Sequence, residues 1–294
     1  MKNGKAGMPA MTLTTGRRIM LMLCVIVLFY VITALALELI RNGFGAENVR
    51  ALRISAVLQD LLMFVLPAVI VAILLTRLPA RLLCVDTLPR PRAVLYAMLT
   101  MAVSVPAMNW IIAANAQLPL PEGIAETLRQ AEVTATRTTE LMLGGSDVIS
   151  LVMSLLIVAV LAGFSEELFF RGMMQRVFAG CRINAGVAIW LTAILFSAMH
   201  MQVYGFVPRM LLGAYFGYLL LWSGSLWLPV LMHILNNASF IIARHSALGG
   251  NADFNALGAD GGTLSYVIVG ASVALTVVGL VLTRRAAKGR HIAA

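Results

Sequence analysis

Two glutamates, Glu166 and Glu167, stand side by side in "FSEELFFRGMM", with Arg171 four residues on, inside one of the most apolar stretches of the chain. Two histidines, His200 and His233, and the asparagine Asn237 lie in other apolar stretches. An ionisable side chain in hydrocarbon costs a few kcal/mol or more, so such residues face a bundle interior and mark function. On a helix, residues four apart are neighbours. Glu167 and Arg171 are therefore spaced for an ion pair, whereas Glu166 points about 100° away from Glu167. One carboxylate is neutralised and the other stays free. His233 and Asn237 share the four-residue spacing, as do Phe196 and His200. A desolvated carboxylate can take a proton from water, and imidazole and carboxamide N–H groups can stabilise an oxyanion. The set suits hydrolysis, and residue type alone leaves a proton relay or an ion site open.

The elements that must position these residues are membrane helices. The chain has 294 residues, 60% of them hydrophobic and 12% charged, with a mean hydropathy of +0.90 that excludes an ordinary soluble domain. Apolar segments near 19–40, 54–75, 93–114, 148–170, 184–200, 206–222, 226–243 and 264–283 predict an all-α, polytopic membrane bundle of about eight transmembrane helices. The net charge of +9 does not point to nucleic acid, because Lys and Arg cluster in short segments between apolar runs. Those clusters fall at the N-terminus, at 77–92, at 171–182 and after Thr283. With eight crossings all four share one side, which predicts a multi-pass plasma (inner) membrane protein with both termini in the cytoplasm. Ala34-Leu35-Ala36 resembles a signal-peptidase site, but the uncharged run Ile19–Leu37 is long enough to span, so an uncleaved first helix is expected. Cys24, Cys84 and Cys181 show neither a disulfide framework nor zinc-type spacing.

Counting from the turn near Gly180–Asn184, Glu166 lies about 16 residues before it and His200 about 16 after, so both sit roughly 24 Å from that end. His233 and Asn237 fall at roughly 14 to 20 Å from the same side, counted from Ser223–Ser225. Three helices can thus bring a carboxylate, two imidazoles and a carboxamide to one depth. That depth lies nearer the side away from the cationic segments.

The stretches "EELFFR" (166–171), "FSAMH" (196–200) and "HILNN" (233–237) resemble the EExxxR, FxxxH and HxxxN motifs of the CPBP family. These are the CAAX prenyl protease and bacteriocin-processing intramembrane endopeptidases, also called the Abi family. The three motifs stand in the family's order on separate predicted helices, and the resemblance covers about 148–243. It implies that Glu166, assisted by His200, activates water, that His233 and Asn237 bind the oxyanion, and that Glu167 and Arg171 support the site. It also implies a membrane protein or lipid-associated peptide as substrate, met in the bilayer. The family was long described as metalloproteases, and Glu166, His200 and His233 could hold zinc with a position open for water. The helix lacks HExxH, and related enzymes have been argued to be metal-independent glutamate proteases, so zinc stays open.

The chain divides into 1–147, three helices plus a polar connection; 148–243, the catalytic core; and 244–294, a loop, the last helix and a basic tail. Within 115–147 the apolar spacing allows an amphipathic helix on the bundle or membrane surface, or a plain solvated one. The loop 249–262 is expected to be a flexible connection. Arg209, beside Pro208, is expected to snorkel to the interface, and Asn109 to make an interhelical hydrogen bond. Two other functions fit intramembrane charges. A proton-coupled transporter would show paired broken helices in two related halves, which the sequence lacks, and a catalytically silent bacteriocin-immunity or binding protein would not need Glu166. No feature of the sequence points to an oligomeric state.

Overall fold

The computed structural model describes residues 10–45, 47–117, 119, 123–145, 147–181, 183–248 and 263–288, and these form helices and no strand. In chain order they are α1 (Thr15–Phe44), α2 (Val49–Leu75), the short α3 (Pro79–Leu82), α4 (Pro91–Ala116), α5 (Ala125–Leu143) and α6 (Val148–Ala179). Then follow α7 (Ala185–Met199), α8 (Phe206–Ser223), α9 (Trp227–Leu248) and α10 (Thr263–Ala287). Each of the eight apolar segments corresponds to a helix. Six spans, α1, α2, α4, α6, α10 and the one ending in α8, are long and apolar enough to cross a membrane. Helix α7, with 15 residues, reaches only about 22 Å. Helix α9 has 22 residues but carries His233, Asn236, Asn237, Arg244 and His245, which dilute its hydropathy. The connection 115–147 contains the amphipathic helix, α5. The loop 249–262 lies outside the described residues.

Helix α6 runs to Ala179, well past the apolar segment ending near 170. Its polar residues there are buried and bonded instead of marking an end. Gln175 Nε2 donates to Gly217 O at 3.2 Å, and Arg176 Nε donates to Leu82 O at 3.2 Å. At the other end Asp147 caps the helix by accepting from the Ser150 backbone N–H at 3.0 Å, which holds its carboxyl below its ordinary value. Three stretches are wound as π-helix: Asp60–Val65 in α2, and Leu155–Leu161 and Leu168–Met174 in α6.

The helices are joined by bonds that spare backbone groups from hydrocarbon. Pro106 inside α4 has no N–H to give, and the ladder beside it opens; the Ser272 hydroxyl of α10 donates to Val103 O at 2.6 Å and accepts from Ala107 N at 3.2 Å. The Thr100 and Thr283 hydroxyls meet 3.2 Å apart on the same pair of helices. At one end of the bundle the cationic segments come together. Arg18 donates to Gly180 O at 2.9 Å and Arg90 to Lys288 O at 2.7 Å, while Trp227 Nε1 donates to Val85 O at 3.0 Å. These contacts put α6, α9 and α10 in one register from that end.

The core that holds the site lies where α2, α6 and α9 meet. Phe64, Phe169, Phe170, Phe196, Val230 and Met173 are buried there together. Helices α6 and α9 approach closely because position 163 is glycine: a Cβ there would lie 3.0 Å from Ile234 Cγ1 and 3.2 Å from its backbone nitrogen. Gly163→Val must push α9 away from α6 close to the contact between Glu167 and His233. Overpacking of this kind costs about 1–3 kcal/mol. The expected outcome is a thermal midpoint in detergent lowered by several degrees, measured by scanning fluorimetry against wild type.

Candidate active site

Glu167 and Arg171 lie one turn apart on α6 and both are fully buried. Arg171 Nη1 donates to Glu167 Oε1 at 2.6 Å, and Nη2 donates to Gly213 O of α8 at 3.0 Å. The guanidinium carbon stands 4.5 Å from the Phe196 ring centroid and 5.5 Å from that of Phe216, so aromatic faces replace water around the charge. The expected ion pair is present. Glu167 Oε1 also meets His233 Nδ1 at 2.8 Å. A carboxylate only accepts, so Nδ1 carries the hydrogen and Nε2 is the free end of the ring. His233 Nε2 faces Glu166 Oε2 at 3.8 Å, beyond hydrogen-bond range. Glu167, His233 and Glu166 thus form a row of carboxylate, imidazole and carboxylate.

The two glutamates differ in access. The Glu167 side chain is 0% exposed and the Glu166 side chain 15%, so Glu166 alone of the pair can meet a water molecule or a substrate. Its Oε2 is buried without a hydrogen-bond partner. The π turn Leu168–Met174 begins directly after Glu167, and such turns re-aim the side chains around them.

His200 caps the C-terminal end of α7, and its Nδ1 lies 2.9 Å from Phe196 O. A carbonyl only accepts, so this ring too carries its hydrogen on Nδ1 and leaves Nε2 as an acceptor. The chain turns sharply after it through Met201, whose φ of 54° is unusual for a residue with a side chain. Ser197 Oγ fixes the turn by donating to Phe206 O at 2.7 Å. Phe196 then touches both imidazoles edge-on, with centroids 5.1 Å from His200 and 6.0 Å from His233. His200 lies within electrostatic reach of Glu166 and His233. Asn237, one turn beyond His233, donates Nδ2 to Val158 O at 3.0 Å, in the π turn Leu155–Leu161. The structure therefore joins α6, α7 and α9 at one level, with Asn237 tied back to α6.

Two further charged residues adjoin this group. Asp60 of α2, 5% exposed, opens the π turn Asp60–Val65 and accepts from Ser165 Oγ at 3.0 Å, one residue before Glu166. It lies within electrostatic reach of Glu166 and His233. The signal for it was an acidic residue in the middle of the apolar segment 54–75. Arg209 donates Nη2 to Gln202 Oε1 at 2.8 Å and lies within electrostatic reach of Glu166 and His200.

Residues 148–239 match the family model of type II CAAX prenyl endopeptidases, Rce1-like. The resemblance read from the three motifs holds over this stretch. The family is one of proteases, and the apolar spans make this chain a multi-pass membrane protein. The Rce1-like stretch runs from α6 into α9 and includes Glu166, Glu167, Arg171, His200, His233 and Asn237, but not Asp60. No curated protein and no solved structure matches the chain.

The zinc expectation can be set against the geometry. His233 Nδ1 is taken by Glu167 and His200 Nδ1 by Phe196 O, which leaves on each ring the Nε2 that a metal-bound imidazole would offer. Among the described residues no three His, Cys, Asp or Glu side chains are grouped to hold a metal ion. As placed, Glu166, His200 and His233 are not grouped closely enough to hold it.

Removing one partner of a buried pair leaves the other charge unsatisfied, at a cost of about 3–5 kcal/mol, whereas removing both can be nearly neutral. Arg171→Met is expected to lower the thermal midpoint far more than the double variant Glu167→Gln/Arg171→Met. A double-mutant cycle on purified protein in detergent checks this.

Proposed function

We propose that the protein is an intramembrane endopeptidase that hydrolyses a peptide bond of a membrane-associated protein or peptide. The observation that carries this reading is the Glu166 carboxylate: one residue before a locked ion pair, facing His233 Nε2 at 3.8 Å, with an oxygen that has no partner. A water oxygen set beside that gap can be held by Glu166 and by His200 Nε2. Glu166 takes one of its protons as the oxygen attacks the carbonyl carbon. The carbonyl oxygen becomes an oxyanion, for which Asn237 offers its second amide hydrogen and His233 its Nε2–H when the ring is doubly protonated. Glu167 holds the ring by accepting from its Nδ1–H, and Arg171 balances the single negative charge of Glu167. On collapse the C–N bond breaks, and the proton held by Glu166 goes to the departing amine. Asp60, through Ser165, holds α2 against the residue preceding the base.

We further place the protein in the plasma (inner) membrane with both termini in the cytoplasm, on the side where the cationic segments meet.

General-base catalysis contributes roughly 10²–10⁴-fold and one oxyanion donor about 10²–10³-fold. Purified protein in liposomes, assayed with an internally quenched prenylated CaaX peptide, is expected to lose at least about a hundredfold in kcat on Glu166→Gln, with folding retained. His200→Ala and Asn237→Ala are expected to fall in the same range, and 1,10-phenanthroline to leave the wild-type rate within twofold. Full activity in Glu166→Gln would overturn the reading. Asp60→Asn keeps the size of the side chain and is expected to lower the rate less than Glu166→Gln does, in the same assay.

A further inference from the structure

The site is crowded with negative groups. Glu166, Glu167 and Asp60 lie together, and both terminal nitrogens of Arg171 are taken, one by Glu167 and the other by Gly213 O. Such a site repels a substrate carboxylate unless another cation faces it. Arg209, in the first turn of α8, is that cation. Its Nη2 donates to Gln202 Oε1 at 2.8 Å, while its Nη1 is buried with no hydrogen-bond partner.

The seat of Arg209 is built. Gly205 lies under the guanidinium so closely that a Cβ there would stand 2.8 Å from Nη2 and 3.2 Å from Cζ. Asn115 of α4 holds the same turn by donating Nδ2 to Val203 O at 3.0 Å and to Tyr204 O. Glu132 of the amphipathic helix α5 interacts electrostatically with Arg209, and its Oε2 is also buried without a partner. Arg209 Nη1 and Glu132 Oε2 are thus both unsatisfied, on residues within electrostatic reach of one another. The planar guanidinium with open N–H groups suits a carboxylate.

We propose that Arg209 is the specificity-determining anchor for a carboxylate carried by the substrate, and that Glu132 is the resident counter-charge which this carboxylate displaces. The position of the scissile bond relative to the anchor rests on the hydrolase reading above. Arg209 shares an electrostatic environment with Glu166 and His200, and an extended chain spans about 3.3–3.6 Å per residue. On this proposal the anchored carboxylate lies within a few residues of the bond cut. It comes either from the α-carboxylate of a chain end or from an Asp or Glu side chain.

The test measures binding, not turnover, so that it can fail separately from the protease reading. Full-length protein in nanodiscs, as wild type and as Glu166→Gln, is titrated with three tripeptides: Ac-Ala-Val-Leu-OH, its C-terminal amide, and Ac-Ala-Val-Asp-NH2. A charge-assisted pair predicts that the free acid binds about tenfold or more tighter than the amide. That ratio is expected to persist in Glu166→Gln, to fall to about one in Arg209→Gln, to be partly kept in Arg209→Lys, and to rise in Glu132→Gln. Tight binding of the Asp peptide assigns the anchor to any nearby carboxylate, and weak binding assigns it to a chain end. Binding of the amide as tight as that of both carboxylate peptides by wild type, no binding of any peptide, or a ratio that survives Arg209→Gln would overturn the proposal. An unchanged ratio with no cleavage of any substrate would leave the anchor standing and remove the protease reading.

Discussion

A carboxylate that loses its water must find counter-charge and hydrogen-bond donors within the protein, and Glu167 finds both on one oxygen. Arg171 lies one turn below it on the same helix and His233 reaches it from α9. This shared atom ties the site to the fold. It fixes which end of His233 faces Glu166, and it links α6 to α9 in a region without bulk water. Through Arg171 it extends to α8 at Gly213 O and to the aromatic rings of Phe196 and Phe216. Buried pairs of this sort seldom add stability over an apolar substitute, so their retention calls for a reason in function. Here the reason is orientation: an imidazole gripped at Nδ1 presents Nε2 in one direction only.

The second constraint is the backbone. Hydrocarbon offers no partner to a freed carbonyl or amide, so irregular helix survives only where side chains re-satisfy it. The π turns of α2 and α6 lie beside the site, and one of them supplies the Val158 carbonyl that binds Asn237. The same rule operates at Pro106, where a serine from α10 bridges the opened ladder. Irregularity and chemistry coincide because both require side chains that would otherwise be expelled from the membrane interior.

The eight helices were readable because hydrocarbon thickness imposes a length and a composition on any spanning segment. The i, i+4 pairs were readable because helix geometry makes them so: Glu167 with Arg171, and His233 with Asn237, lie on shared faces. The extension of α6 to Ala179 was hidden, since Arg171, Gln175 and Arg176 look like the polar end of a span, and only tertiary partners such as Leu82 O and Gly217 O make them interior residues. Asp60 was visible as a lone acid in an apolar run, but its connection to the site depends on Ser165, 105 residues away, and on a π turn with no sequence signature. The seat of Arg209 on Gly205 and its bond to Gln202 were hidden, because they are matters of turn geometry. The contact of His233 with Glu167 in place of an open position was likewise beyond spacing arguments.

The central claim is that Glu166 makes this protein a hydrolase of membrane-associated chains. The measurement that tests it most directly compares peptide termini, by mass spectrometry of membrane fractions, between cells carrying the wild-type protein and cells carrying Glu166→Ala at equal abundance. The account predicts a set of new termini present with wild type and lost with the variant, which would name the substrate at the same time. Identical termini in both, with the variant folded and in the membrane, would contradict it.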